Sequence, residues 1–201
     1  MRGTAAFATD AGQGAPRRFL NAADGCWHVQ LTQGETYVTA DPREVLTTLL
    51  GSCIAACIRD PLAQVGGMNH FLLPHGSGGD RDAMRYGVNA MELLVNGLLK
   101  RGALRGRLEA KLFGGANVIA GLSNVGSGNA AFAERYLADE GITLVGGDLR
   151  GIYPRRIQYW PCSGRARQMA IAASDRSQFV ERERRALAQT PIAEANDVEL
   201  F

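Results

Sequence analysis

Apolar and polar residues alternate along three short stretches of the first part of the chain. Trp27, Val29 and Leu31 recur at every second position, as do Ile54, Ala56 and Ile58, and the run from Val65 to Leu73 is apolar between turn residues. A period of two is the signature of a strand, so three strands are expected here. Asp60-Pro61 separates the second from the third. Proline pre-sets a turn dihedral and lacks the N–H that a ladder needs, so these two strands are expected to pair antiparallel about that turn. The period then changes: Val88, Met91, Leu94, Val95, Leu98 and Leu99 follow spacings of three and four, and Gly102 stands where a helix would stop. That spacing predicts a helix over 85–101. A second helix is expected from an N-cap at Asn129 through Phe132, Tyr136 and Leu137 to Gly141. Leu108 to Phe113 and Ile142 to Val145 read as buried strands. Arg156 to Trp160 and Gln168 to Ala172, joined by Pro161-Cys162-Ser163-Gly164, read as a closing hairpin. The sum is an α/β protein, a layered arrangement of mixed β-sheets with two main helices.

The ends lack this patterning. Residues 1–23, with Gly12-Gln13-Gly14 and Arg17-Arg18, are expected to be a flexible arm, 24–175 a single domain, and 176–201 a short charged helix and tail. At 201 residues, 46% hydrophobic and 21% charged, the chain has room for one packed core. A net charge of +2 gives no dense field of one sign, so nucleic-acid binding is not expected. No apolar run approaches the roughly 18–20 residues of a membrane span, and the chain is expected to be soluble and cytoplasmic. Four cysteines without a C-x-x-C pair suit neither a disulfide scaffold nor a zinc site, which leaves reduced thiols.

One of those thiols stands in a suggestive place. Thr47-Thr48-Leu49-Leu50-Gly51-Ser52-Cys53 ends a β-like stretch in a Gly-Ser turn and sets Cys53 at the start of the next strand. A glycine there lets backbone N–H groups of Gly51, Ser52 and Cys53 converge beside the sulfur, as a nucleophile needs if an oxyanion is to be stabilised. His70 lies in the third strand. If the two strands pair about Asp60-Pro61, Cys53 and His70 fall at the same far end of the ribbon and can meet. Against this stands the ordinary reading of a cysteine as a small buried hydrophobe and of a strand histidine as a satisfied core residue. Cys26 and His28 form a rival dyad without a glycine turn, Cys57 reads as core, and His75 and Cys162 as surface residues. Gly114-Gly115-Ala116-Asn117 lacks the Gly-Lys-Ser/Thr ending of a nucleotide loop and is expected to make a tight strand exit or the floor of the Cys53 site.

Spaced motifs add to this. The stretch Thr47 to Cys53, the strand Ile54 to Pro61, Gly66-Gly67-Met68-Asn69-His70-Phe71-Leu72-Leu73-Pro74, Arg85-Tyr86-Gly87, Glu109 to Ala116, Val125-Gly126 with Asn129, and Asp148-Leu149 into Pro154-Arg155-Arg156 together resemble the bacterial chemoreceptor glutamine deamidases, the CheD family. The resemblance spans roughly residues 34–172. It implies a layered α/β sandwich similar to that of cysteine deamidase toxins. It also implies hydrolysis of particular glutamine side chains on methyl-accepting chemoreceptors to glutamate, with release of ammonia. Carried over position by position, the family's Cys-His-Thr triad becomes Cys53, His70 and Thr47, with Thr48 the near neighbour, and the intermediate a glutamyl thioester. No metal or organic cofactor is implied. The implied partners are receptor cytoplasmic domains and, for some members, a CheC-type chemotaxis phosphatase. The alternative is a non-catalytic regulatory protein that docks on receptors or on such a phosphatase. One departure is local: Arg150-Gly151 stands where the family usually has two glycines.

Overall fold

The ribbon about Asp60-Pro61 forms the centre of the molecule. In the computed structural model, which describes residues 16–74, 79–119 and 125–189, β5 (Ile54–Asp60) and β6 (Val65–Asn69) pair antiparallel, with Cys57 opposite Met68 and Asp60 opposite Val65. The remaining strands are β1 (Arg17–Asn21), β2 (Cys26–Gln30), β3 (Thr36–Thr39), β4 (Glu44–Leu50), β7 (Glu109–Gly114), β8 (Thr143–Leu149), β9 (Arg155–Trp160) and β10 (Arg165–Ala170). The helices are α1 (Gly79–Leu99), α2 (Val125–Asp139) and α3 (Ala173–Gln189). Two five-stranded mixed sheets result, one in the order β1-β2-β4-β9-β10 and one in the order β3-β6-β5-β7-β8.

Burial on both faces explains the near-continuous apolar sequence of β5. Ile54, Ala56 and Ile58 point to one side, where they join Met91, Leu94 and Leu98 of α1 and Phe132 and Leu137 of α2 in one core. Cys53, Ala55 and Cys57 point to the other side and join Leu46 and Leu50 of β4 and Ile157 and Tyr159 of β9 in the core between the sheets. The layers are therefore helices, sheet, sheet, and Cys57 is core as expected.

Several expectations require correction. Arg17–Asn21, read as part of a flexible arm, forms β1 and pairs with β2 in the register Phe19 opposite His28. Its exposed, polar-rich sequence gave no alternation to detect, because pairing at a sheet edge needs no buried face. Residues 1–15, His75 and the tail beyond 189 lie outside the described residues. The strand read as Val65 to Leu73 ends at Asn69, whose side-chain oxygen takes the Ala56 N–H at 3.1 Å in place of a ladder bond. Pairing resumes at an isolated bridge between Phe71 and Ile54. Asn129 is not an N-cap but a buried residue in the second turn of α2, which begins at Val125. Of the stretch Ile142 to Val145, expected to be a buried strand, Ile142 is buried, but Thr143 to Val145 open β8 and are exposed, at the edge of the sheet. No helix among the described residues is long and apolar enough to cross a membrane.

Candidate active site

Register brings Cys53 and His70 to one face. The Ile54 to Phe71 bridge continues the β5–β6 register, so His70 lies opposite Ala55, diagonal to Cys53 and on the inter-sheet side. Diagonal neighbours on paired strands have side chains roughly 7 Å apart at Cβ, within reach of an imidazole. Both residues are buried.

The imidazole is oriented by a hydroxyl. Thr48 Oγ1 lies 2.8 Å from His70 Nδ1 and donates to the Leu31 carbonyl at 2.9 Å. A hydroxyl has one hydrogen, and here Leu31 takes it, so toward His70 the oxygen accepts and Nδ1 carries the proton. Nε2 is then the basic nitrogen. Among the described residues it is buried without a hydrogen-bond partner. Burial pushes the imidazole pKa down to about 4, so near neutrality the ring is an uncharged base.

The expected third residue, Thr47, is not the one on the ring. Successive strand residues face opposite sides: Leu46 and Leu50 enter the inter-sheet core, so Thr48 between them faces His70 and Thr47 faces away. The Thr47 carbonyl instead accepts the Leu31 N–H at 2.8 Å, fixing the residue whose own carbonyl engages Thr48.

The Gly51-Ser52-Cys53 turn is braced from below. Gly115 N–H donates to the Cys53 carbonyl at 2.9 Å and Ala116 N–H to the Gly51 carbonyl at 2.8 Å. A Cβ at Gly114, whose φ is +108°, would strike the Cys53 carbonyl. The glycine run is the floor of the site. The Ser52 N–H donates to the buried side chain of Glu183 from α3 at 2.5 Å. Burial pushes the Cys53 thiol pKa well up, and the Glu183 carboxylate beside it pushes the same way. The rival pair is spent elsewhere: His28 Nε2 binds Asp24 Oδ2 at 2.8 Å, and Cys26 Sγ turns to the Asp24 carbonyl.

A family model described as CheD chemotactic sensory transduction matches residues 72–169. A probable chemoreceptor glutamine deamidase CheD of Caulobacter vibrioides is 57% identical over 175 residues, covering 86% of this chain and 92% of that protein. Proteins of the same description from Sinorhizobium medicae and Agrobacterium fabrum are 53% and 54% identical, covering 86% of this chain and 95% and 96% of their own lengths. The chain belongs to the CheD family. Among solved structures, a Neisseria meningitidis protein of the DUF152 family model covers 58% of this chain and 52% of its own at 12% identity and a TM-score of 0.35.

The departure of this CheD-family chain at Arg150 is accommodated. Arg150 takes a left-handed φ of +70°, the conformation glycine adopts freely. Its guanidinium pairs with both carboxylate oxygens of Glu134 on α2, at 2.9 and 2.6 Å, and its N–H donates to the Gly114 carbonyl at 2.8 Å.

Four residues at the site went unassigned at the sequence level. Asn129 donates to the Ser52 carbonyl at 2.8 Å and accepts the Leu73 N–H at 3.1 Å, tying the Gly51–Cys53 turn to the chain just past His70. The Cys53 thiol faces the Gln33 carboxamide oxygen at 3.9 Å. Tyr86 of α1 is near enough that a Cys53 thiolate would raise its pKa, after the larger effect of burial. Glu183 lies 131 residues from Ser52, and only the folded chain could reveal it.

Proposed function

We propose that this chain hydrolyses the side-chain amides of specific glutamines on methyl-accepting chemoreceptors, leaving glutamate and releasing ammonia. Cys53 is the nucleophile, His70 the general base and acid, and Thr48, rather than the expected Thr47, the residue that fixes the ring. The observation that carries the reading is His70 itself: its Nδ1 proton is committed to Thr48 while a buried Nε2 is left free on the face it shares with Cys53. Buried polar atoms in structural positions are satisfied, so an unpaired basic nitrogen on the same face of the ribbon as a thiol, with no hydrogen bond yet formed between the two, supports catalysis over core packing. The relatives named as probable chemoreceptor glutamine deamidases support the substrate.

In this scheme Nε2 takes the Cys53 proton as the sulfur attacks the glutamine carbonyl carbon. The resulting oxyanion is held by the Ser52 N–H, a donor type whose loss in other enzymes costs about 3–4 kcal/mol. A half-turn of the Gln33 carboxamide offers its NH2 as a second donor. The imidazolium returns its proton to the departing nitrogen, ammonia leaves, and a glutamyl thioester remains. His70 then deprotonates a water that attacks the thioester, giving glutamate and restoring the thiol. Because burial holds the thiol up and the imidazole down, the resting pair is neutral and the proton moves only as substrate is attacked.

The test is the mass of a receptor cytoplasmic fragment before and after incubation. Specific glutamines should each gain about 1 Da with equimolar ammonia, and Cys53→Ala should give neither. Conversion by Cys53→Ala at the wild-type rate would refute the scheme.

A further inference from the structure

The active site already holds a glutamyl side chain, and it comes from the protein itself. Glu183 of α3 is buried and places Oε1 2.5 Å from the Ser52 N–H. Its carboxyl group lies where a Cβ on Gly51 would be, so only a glycine there leaves room for it. Among the described residues no cation pairs with it. A buried carboxylate without a counter-charge is costly, and burial pushes its pKa up, with the Ser52 N–H only partly offsetting that. Architecture does not explain a buried glutamate placed against the backbone of a nucleophile's turn. Chemistry does: a glutamate side chain is the product of glutamine deamidation, and its carboxylate occupies the donor that an oxyanion needs.

The rest of α3 is held loosely. Its sequence is rich in Arg and Glu, and Arg184 and Arg185 are exposed and pair within the helix to Glu181. Phe179 leans toward the outer face of the β4–β9–β10 sheet over a cavity of about 410 Å³, lined also by Leu49, Arg156, Met169 and Ile171. Arg176 stacks on Tyr153 at 4.3 Å. Loose packing suits a segment that leaves.

Building on the reading of Cys53 as the nucleophile, we infer that α3 is a built-in pseudo-product, in which Glu183 fills the seat of the substrate's glutamine side chain. The site accepts that side chain from a helix, as α3 offers it, and a receptor helix competes with α3 for the same approach. While α3 is docked, the Ser52 donor is taken and a negative charge sits beside the thiol, so attack is suppressed.

The sharpest test is Glu183→Gln in the full chain, which converts the pseudo-product into a substrate. The amide introduced there should be hydrolysed in place: water is consumed, ammonia leaves, and residue 183 alone gains about 1 Da at a rate independent of protein concentration. Peptide mapping distinguishes it from Gln33, and Glu183→Gln combined with Cys53→Ala should stay unchanged. Glu183→Ala in turn should raise both iodoacetamide labelling of Cys53 and the initial rate on a receptor fragment by about tenfold. If the introduced amide persists and Glu183→Ala has no effect while the fragment is still deamidated, the pseudo-product is refuted and the activity stands. If neither that amide nor the fragment is converted and Cys53 labels no faster in Glu183→Ala, both readings fall.

Discussion

The β5–β6 ribbon buries ionisable groups at both of its ends, and it treats them in opposite ways. At the turn end Asp60 is fully buried. Its Oδ1 accepts the N–H groups of Leu62 and Ala63 at 2.9 and 3.1 Å, and its Oδ2 accepts Leu104 N–H at 2.9 Å and Arg107 at 2.9 and 2.7 Å. Burial alone would push this carboxyl up, but these donors outweigh it and hold the pKa at about 2. At the open end Cys53 and His70 are equally removed from water, yet burial drives both toward their neutral forms, and His70 Nε2 and Ser52 Oγ have no partner among the described residues. A buried charge with every lone pair answered is architecture. A buried titratable pair whose basic nitrogen is free, and whose thiol is held only by the long contact to Gln33, is poised for chemistry.

The contrast can be broken most forcefully by exchanging the two kinds of damage. Cys53→Ala and His70→Ala are each expected to lower deamidation of a receptor fragment by at least about 10³-fold, the scale of losing a nucleophile or general base, with urea unfolding close to wild type. Asp60→Ala should do the reverse. It strands Arg107 and three backbone N–H groups, so the loss should be about 3–5 kcal/mol in unfolding free energy, with turnover per folded molecule unchanged. An unfolded Cys53→Ala, or an Asp60→Ala that folds normally but turns over slowly, would erase the distinction.

How much of this was legible beforehand follows the same division. Periodicity exposed β2, β5 and α1, because each buries a face and burial writes a period into the sequence, while an apolar run exposed β7 and the Pro161–Gly164 turn signal exposed the β9–β10 hairpin, whose second strand buries no residue. That Cys53 and His70 share one face of the ribbon followed from one turn and the parity of two strands. What escaped depends on distance or on choosing a face. β1 is an exposed edge with no period to see. Asn129 has the residue type of a cap, and only the packing of α2 against the Gly51–Cys53 turn turns it into a clamp. Thr47 and Thr48 differ by one position, which in a strand means opposite sides, and the motif did not say which side faced the histidine. Glu183 sits in a charged helix whose pattern reads as solvent-facing.

The pH dependence of stability sharpens the comparison, since the two ends titrate in different windows. His70 has a folded pKa of about 4 against an ordinary 6.5, so the unfolded chain binds its proton first as pH falls. Its contribution is fully present above about pH 6.5 and is lost progressively toward pH 4, amounting to about 3 kcal/mol. Asp60 acts lower: its stabilisation is present above the ordinary value of 3.8 and fades toward pH 2. Glu183, whose pKa is raised, works in the opposite sense, its contribution being lost as pH rises through the folded value. Urea midpoints measured from pH 7 to pH 3 in a Glu183→Ala background, which removes that opposing carboxyl, should therefore fall between 6.5 and 4 and stay nearly level there once His70→Gln is added, while adding Asp60→Asn flattens only the part below 4. A curve that is level from 6.5 to 4 in that background would mean that His70 is not buried as a neutral ring.

The smallest expected effect distinguishes two neighbouring hydroxyls. Thr48→Val removes the acceptor that keeps the proton on Nδ1, so the ring spends less time with Nε2 as the base. A loss of roughly 10–100-fold in kcat is expected, with KM little changed, because the ring's tautomer and orientation govern transition-state chemistry more than binding. Thr48→Ser should recover most of it, and the acid limb of the pH profile should move in Thr48→Val and return in Thr48→Ser. Thr47→Val should change kcat less than about twofold, since only the Thr47 backbone is engaged, with Leu31. The opposite ranking would have a consequence beyond these residues. For Thr47 to reach the ring, β4 would have to slip by one position, and a one-residue slip turns every side chain to the other face. Leu46 and Leu50, now fully buried between the sheets, would then turn outward, so kinetics favouring Thr47 would contradict the register of the whole sheet.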